Sequence, residues 1–575
     1  MRFFWTAGLI FGIFVKAFSQ SALVLDTLRA HTSFYVTGDA LDSSLRNSRS
    51  SLSNLYLRDG IFFDPFRIYQ PFGTFLQRYN STERLPVFSA LPFLGVHYSF
   101  GMQGSQHTAL NYFQAFNHGW LANFRYTSNA SAGFIRNSGW KNRDLHAMVL
   151  RYGPRYRTQM TLTTQSDLRN FSGGIVSDSL LQYIAIGLVP VRKDSCSSDV
   201  RLKELSWKNE YNLLQDTTRF LGIYHRSSIQ NFRRSYKESD TLSGLYPAIF
   251  YDSLRSLDIL EQTLQKNALG IGSTSRHWQF EALATADYWR FRMRGNQRDT
   301  LELGLTSAMK YHVRNTSLKI NYQYRFFGAF NASQLSGALS HRFLRKHLVS
   351  ANFIAGLVAP EVFQRFYFGN TFQWSMQQAQ LQRIFQGDLA VQGELFDVAY
   401  RVQVKGLLTQ GVYCFNGSVW DNHNGQSNQQ LMEFQLALGK TWKGFSVEPK
   451  GYYLAQKNRV LPNLGAGIGM KYQGYLGKSK NLFVFTQVNY MYYQGYRTLS
   501  LVPQLSLLDL SAANLTETTY HSLNALMGFK VKTFQFHVAL DNLGTFFMPT
   551  QQMLYKDIPI PTWQLKMGVT WVFWN

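Results

Sequence analysis

Apolar and polar residues alternate with period two along much of the chain. In SLKINYQYRFF (317–327), Leu318, Ile320, Tyr322, Tyr324 and Phe326 share one face, and Lys319, Asn321, Gln323 and Arg325 share the other. In FDVAYRVQVKG (396–406), Phe396, Val398, Tyr400, Val402 and Val404 oppose Asp397, Ala399, Arg401, Gln403 and Lys405. LGAGIGMKYQG (464–474) sets Ile468, Met470 and Tyr472 against Gly467, Gly469, Lys471 and Gln473, and FQFHVALDN (534–542) sets Phe536 and Val538 against His537 and Ala539. The C-terminal stretch places Trp563, Leu565, Met567, Val569, Trp571 and Phe573 on one side and Gln564, Lys566 and Thr570 on the other. Successive side chains of a strand point to opposite faces, so each stretch predicts a strand with one apolar and one polar face.

Alternation alone does not say which face meets water. The strands are long, about nine to eleven residues, which is the length that crosses a bilayer at ~45° tilt. Soluble strands average about five to six. From Trp563 to Phe573 a strand runs about 33 Å, or roughly 23 Å along the bilayer normal, close to the ~25 Å apolar band of membrane barrels. The pattern therefore predicts an all-β, transmembrane, antiparallel up-and-down barrel of roughly 18 strands, within a range of about 14 to 22. Trp563, Leu565, Met567, Val569, Trp571 and Phe573 are then expected to face lipid. Lys319, Asn321, Gln323, Arg325, Asp397, Arg401, Gln403, Lys405, Lys471 and Lys566 are expected to face the lumen. The polar stretches 136–144 and 421–430 read as outer loops, and 441–445 and 530–534 as tight periplasmic turns.

The first residues read as an address. Arg2 precedes an apolar run from Phe3 to Val15, and the small residues Ala17 and Ser19 fit cleavage between Ser19 and Gln20. That run is too short to cross a bilayer as a helix, so 1–19 is expected to be a signal peptide. The destination is then the outer membrane of a Gram-negative cell, with the chain integral to it after cleavage. Residues 20–95 alternate poorly and are expected to form a periplasmic extension, an inward-folded plug or irregular first strands. The barrel is expected over 96–575. The stretch 227–275 also lacks clean alternation and is expected to be a long outer loop or a loop folded into the lumen.

Composition agrees with this picture. Charged residues make up 16% and aromatics another 16%, against about 25% charged in typical soluble domains. The formal net charge of +24 could draw nucleic acid, but its Lys and Arg are spread thinly among apolar residues, which argues against that partner. Cys196 and Cys414 are far apart with no CxxC neighbour, which excludes a disulfide scaffold or a cysteine zinc cluster.

The segment 108–175 resembles the β-barrel porins of Bacteroidetes. It shares a strand leading into Ala115-Phe116-Asn117, a strand end at Tyr126, Gly133-Phe134 before Arg136-Asn137, and Asn170 ahead of Gly173-Gly174-Ile175. LDTLR at 25–29 is also similar to the mature start of that family. The resemblance implies an outer-membrane barrel and a diffusion channel, and carries over no functional residue. The aromatic-rich final strand is similar to those read by the barrel assembly machinery, which makes that machinery an expected partner beside outer-membrane lipid.

No catalytic motif emerges. GAGIGM (465–470) lacks the helix that a dinucleotide loop needs. Ser105 with His107 and Asp144 with His146 are the pairs that chemistry at a barrel rim would use. No third group can be placed beside either, so no catalytic residue, metal or cofactor is expected. The expected function is passive diffusion of small hydrophilic solutes. A weak anion preference would come from Lys319, Arg325, Arg401, Lys405, Lys471 and Lys566, because cationic rings favour anions. The same cations could equally pair with Asp397, Asp541 and other acids. A non-channel structural or secretion-associated barrel and a barrel enzyme acting on lipid or peptide are the alternatives. Oligomeric state is not legible.

Overall fold

Twenty-two strands close into one antiparallel barrel in the computed structural model. They are β1 Phe93–Gly101, β2 Ser105–Ala115, β3 Trp120–Ser131, β4 Trp140–Tyr152, β5 Tyr156–Asn170, β6 Cys196–Gln215, β7 Phe220–Glu238 and β8 Ser256–Thr274. Next come β9 Trp278–Met293, β10 Asn296–Val313, β11 Thr316–Phe327, β12 Ala332–Phe343, β13 His347–Val358, β14 Gln382–Leu395 and β15 Val398–Gln410. The remainder are β16 Gln430–Trp442, β17 Phe445–Gln456, β18 Leu464–Leu476, β19 Leu482–Arg497, β20 Glu517–Val531, β21 Phe534–Asp541 and β22 Gln564–Trp574. The structure describes residues 57–58, 62–63 and 92–574, apart from 154, 216–219, 241–245, 247, 330–331, 345, 377–378, 416, 418, 422–427, 457–461, 479, 499, 506, 510–516 and 548–552. The expected signal peptide and most of 20–95 lie outside the described residues.

Each strand pairs with its sequence neighbours, and β22 closes the ring between β21 and β1. Trp571 lies opposite Phe534 on one side and Val96 on the other. Connections differ between the two ends. At one end they are tight, as at 396–397, 443–444 and 532–533. Phe396 (φ 51), Asp397 (φ 59), Lys443 (φ 45) and Gly444 (φ 85) take the left-handed conformation that two-residue hairpins require. At the other end most connections are long: 171–195, 239–255, 359–381, 411–429, 498–516 and 542–563. Barrels of the outer membrane carry short turns on the periplasmic side and longer loops outside.

The ring contains 22 strands, the top of the expected range, and two of the additional strands have an identifiable source. The stretch 227–275, expected to be a loop, holds most of β7 and β8, each 19 residues long. Leu221, Ile223 and Ile229 are the apolar residues of the outward face of β7, with His225 and Ser227 between them; Asn231, Arg233, Ser235 and Lys237 follow toward the long-loop end. A strand of that length runs about 60 Å, well beyond what a bilayer requires. Above the apolar band the faces are mixed: Asn231 and Arg233 point outward while Phe232 and Tyr236 point inward to the loops, and the alternation that marks a membrane strand in sequence is lost. The barrel also begins three residues before the expected boundary, at Phe93.

Inside the wall, glycines make room for neighbouring large side chains. A Cβ on Gly465 would meet the Tyr452 ring at 2.2 Å, and one on Gly467 would meet Met491 Sδ at 2.1 Å. The glycine alternation in GAGIGM is thus a row of sockets in the inner wall.

Candidate functional site

The long loops do not stand clear of the barrel; they fold together over its mouth. One apolar cluster joins loop residues Phe134, Phe171, Phe363, Tyr367, Trp374 and Phe415. The same cluster includes inward-facing wall residues: Leu202 on β6, Phe232 on β7, Phe291 on β9, Leu407 on β15, Leu454 on β17 and Tyr520 on β20. Those strands lie around most of the ring, so loop residues that touch them all cross the bore. The Phe363 ring stands 6.1 Å from Phe232 and 5.9 Å from Phe291, and Tyr367 stacks on Trp374 at 4.8 Å.

Buried polar hubs tie this plug together. The Asn370 side chain accepts from the backbone N–H of Tyr251 (2.9 Å) and Asp252 (3.0 Å). It donates to the Asp252 carbonyl (2.8 Å), the Arg255 carbonyl (3.2 Å) and Ser256 Oγ (2.9 Å). Loop 359–381 is thereby stitched to loop 239–255. The Asn370 backbone N–H donates to Asp258 on β8 (2.9 Å), which also accepts from Arg294 (2.9 Å). Glu238, at the end of β7, accepts from Lys193 (2.7 Å), Tyr236 (2.7 Å) and Tyr246. From the wall, Arg234 donates to the carbonyls of Pro503 (3.2 Å) and Gln504, anchoring the loop after β19.

The loop polar groups are tuned by burial. Glu361 caps the short helix α1 (Val362–Arg365), and its backbone N–H donates to Gln364 Oε1 at 2.9 Å. The residue keeps some exposed surface, but Oε2 is buried without a hydrogen-bond partner. Burial pushes the Glu361 carboxyl up to about 7. The same cause lowers Arg365 and raises Tyr246 and Tyr367.

Beneath the plug the bore is polar. Lys266, Gln323, Arg401 and Lys450 point inward by register and stay exposed to water inside the barrel. The expected lumen residues fall as follows. Lys319, Asn321, Gln323 and Arg325 lie on the inner face of β11, and Arg401, Gln403 and Lys405 on that of β15. Lys471 lies on the inner face of β18 and Lys566 on that of β22. Asp397 does not belong to the wall: the strand starts at Val398, and Asp397 sits exposed in the turn before it. Phe396, on the turn's other side, is almost fully exposed for the same reason.

Several of the cations have acidic partners. Lys566 pairs with Asp541 at 2.8 Å, Lys471 with Glu448 at 2.9 Å and Arg325 with Asp287 at 3.5 Å. Arg401 donates to Gln403 at 3.1 Å. The pairing follows from register, since each partner sits on an adjacent or next-adjacent strand. On β22 the outward positions are Leu565, Met567, Val569, Trp571 and Phe573, with Trp571 and Phe573 stacked at 4.7 Å and Trp563 exposed just before the strand.

Ser105 and His107 share the inner face of β2, and Asp144 and His146 that of β4. His107 bonds Asn129, and His146 Nδ1 lies 3.2 Å from Thr163 Oγ1. Sequence reasoning did not single out His97. It stacks parallel to His537 at 5.6 Å and lies 5.1 Å from His107. The stack spans β22 over Gly568, where a Cβ would meet His537 Cε1 at 2.4 Å. Among the described residues no group of three His, Cys, Asp or Glu is arranged to hold a metal ion. Cys196 is a buried free thiol, 3.1 Å from the Tyr236 hydroxyl.

A closed ring of this size with an apolar outer belt and a polar bore defines an outer-membrane transport barrel. The chain belongs to the family described as "Putative porin", whose pattern it matches over residues 88–575. Solved structures of similar fold include the copper transporter OprC, at 9% identity and a TM-score of 0.60, covering 84% of this chain and 81% of that one. The FrpB iron transporter from Neisseria meningitidis aligns at 8% identity and a TM-score of 0.60, over 84% and 83%. The ferric-catecholate import receptor Fiu from E. coli aligns at 9% and 0.57, over 85% and 82%. At such identities the likeness is one of fold. No curated protein matches the chain.

Proposed function

We propose that the protein passes small hydrophilic solutes across the outer membrane by diffusion, and that its own outer loops gate the bore. The observation that carries this reading is the apolar cluster joining loop and wall residues above a polar, water-exposed lumen. Barrels of 22 strands are wide enough to need a plug if they are not to leak. Selectivity is weak in this account. Asp541, Glu448 and Asp287 offset Lys566, Lys471 and Arg325, which leaves little charge to drive an anion preference. Transport needs no cofactor and no turnover.

The plug also favours a second reading, a permanently sealed structural barrel. Liposome swelling separates the two. Asn370→Ala cuts the main tie between two plug loops and should admit small uncharged sugars faster than the wild type does. Equal exclusion by a folded variant would favour the sealed barrel.

A further inference from the structure

The outward face carries a cationic band along the tall sector of the wall. One row of register partners runs Arg143 (β4), Ser166 (β5), Arg201 (β6), Arg233 (β7), Glu261 (β8) and Arg292 (β9). Lys203 and Arg290 lie one outward position nearer the tight turns. All six cations are exposed. On each strand they follow the stretch of roughly ten residues that crosses a bilayer. Further toward the tight turns the same face carries exposed apolar side chains, among them Leu205, Trp207 and Ile229. At the same end of β11 and β13 the outward residues are Tyr324, Phe326 and Leu357 instead.

Charge within the band does not balance. Asp199, Glu261 and Asp299 pair with Arg201 (2.6 Å), Arg233 (3.7 Å) and Arg290 (3.1 Å), which leaves Arg143, Lys203 and Arg292 in excess. Arg201 and Arg233 moreover stand directly opposite each other on neighbouring strands, a like-charge arrangement that costs free energy and that Asp199 and Glu261 offset only from the flanks. Guanidinium groups bind phosphate through paired N–H donors. An anion held here would have its phosphate at the cations and its carbon chains against Leu205, Trp207 and Ile229. A soluble anion would leave that apolar surface bare.

We infer that this band binds the phosphorylated headgroup of an outer-leaflet glycolipid, with the acyl chains lying on the apolar belt beneath it. The inference rests on the outer-membrane reading of the barrel. The full-length protein in detergent, incubated with bisphosphorylated lipid A and freed of excess lipid, should retain it in native mass spectra. Retention should fall at least tenfold with dephosphorylated lipid A, and likewise in the variant Arg201→Gln/Lys203→Gln/Arg233→Gln. Inorganic pyrophosphate should not displace the lipid at matched concentration. Equal retention by variant and wild type, equal retention of the dephosphorylated lipid, or displacement by pyrophosphate would overturn the assignment. Insertion into neutral phosphatidylcholine vesicles separates the two levels. Wild type and variant should both insert as heat-modifiable barrels, and failure of both would instead refute the membrane reading.

Discussion

Lys566 Nζ lies 2.8 Å from Asp541 Oδ2, with both side chains almost fully buried on the adjacent strands β22 and β21. The pair sits just under the plug, where the closing strand leaves the loop end. Asp541→Asn would leave the ammonium buried without its countercharge, which costs about 3 kcal/mol or more. The double variant Asp541→Leu/Lys566→Met removes both charges and should recover most of that loss. Urea unfolding followed by heat-modifiability measures both, and equal destabilisation by single and double variants would refute the pairing argument.

Glu361 makes docking of loop 359–381 sensitive to pH. The docked loop favours the neutral carboxyl, whose ordinary value of 4.5 is raised to about 7. This contribution to docking is fully present below about 4.5 and is lost as pH rises through about 7. Hydrogen exchange across 359–376, corrected for intrinsic rates, should show protection falling by up to about tenfold per pH unit over that window. Glu361→Gln should flatten the dependence, and an unchanged slope in that variant would assign it elsewhere.

Gly465 and Tyr452 test the socket account of the inner wall. Gly465→Ala forces its Cβ into the Tyr452 ring and should destabilise the barrel by roughly 1–3 kcal/mol. Adding Tyr452→Ala should cost less than the sum of the two single changes, because the clash disappears with the ring. Additive losses in unfolding midpoints would count against a direct contact.

Trp571 and Phe573 stack on the outward face of β22, and Trp571 also meets Phe534 edge-on at 6.2 Å. Replacing both with Ser removes this aromatic end and should reduce heat-modifiable barrel in outer-membrane fractions several-fold, while export to the periplasm continues. Normal insertion of the variant would remove these residues from any role in assembly.

What could be read from sequence tracks where the physics is periodic. β11, β15, β18, β21 and β22 alternate apolar and polar residues along most of their length, and that alternation made them legible as strands. β7 and β8 were illegible because their upper halves mix the two kinds of residue on each face, with Phe232, Tyr236 and Leu260 turned inward to the loops among polar neighbours. The plug was illegible for a different reason. Phe363, Tyr367 and Trp374 lie in a loop with no period, and only the chain's high aromatic content hinted at apolar partners beyond the strands. The balance of the lumen was hidden as well: Lys471 and Glu448 are 23 positions apart, and only the register of β17 and β18 brings them together.

Single-channel conductance in a planar bilayer tests the central claim most directly. The wild-type barrel should be closed most of the time, with brief openings. A variant in which residues 362–376 are replaced by a Gly/Ser linker should conduct steadily. If that variant folds as a heat-modifiable barrel and remains as silent as the wild type, the loops do not gate the bore and the transport account fails.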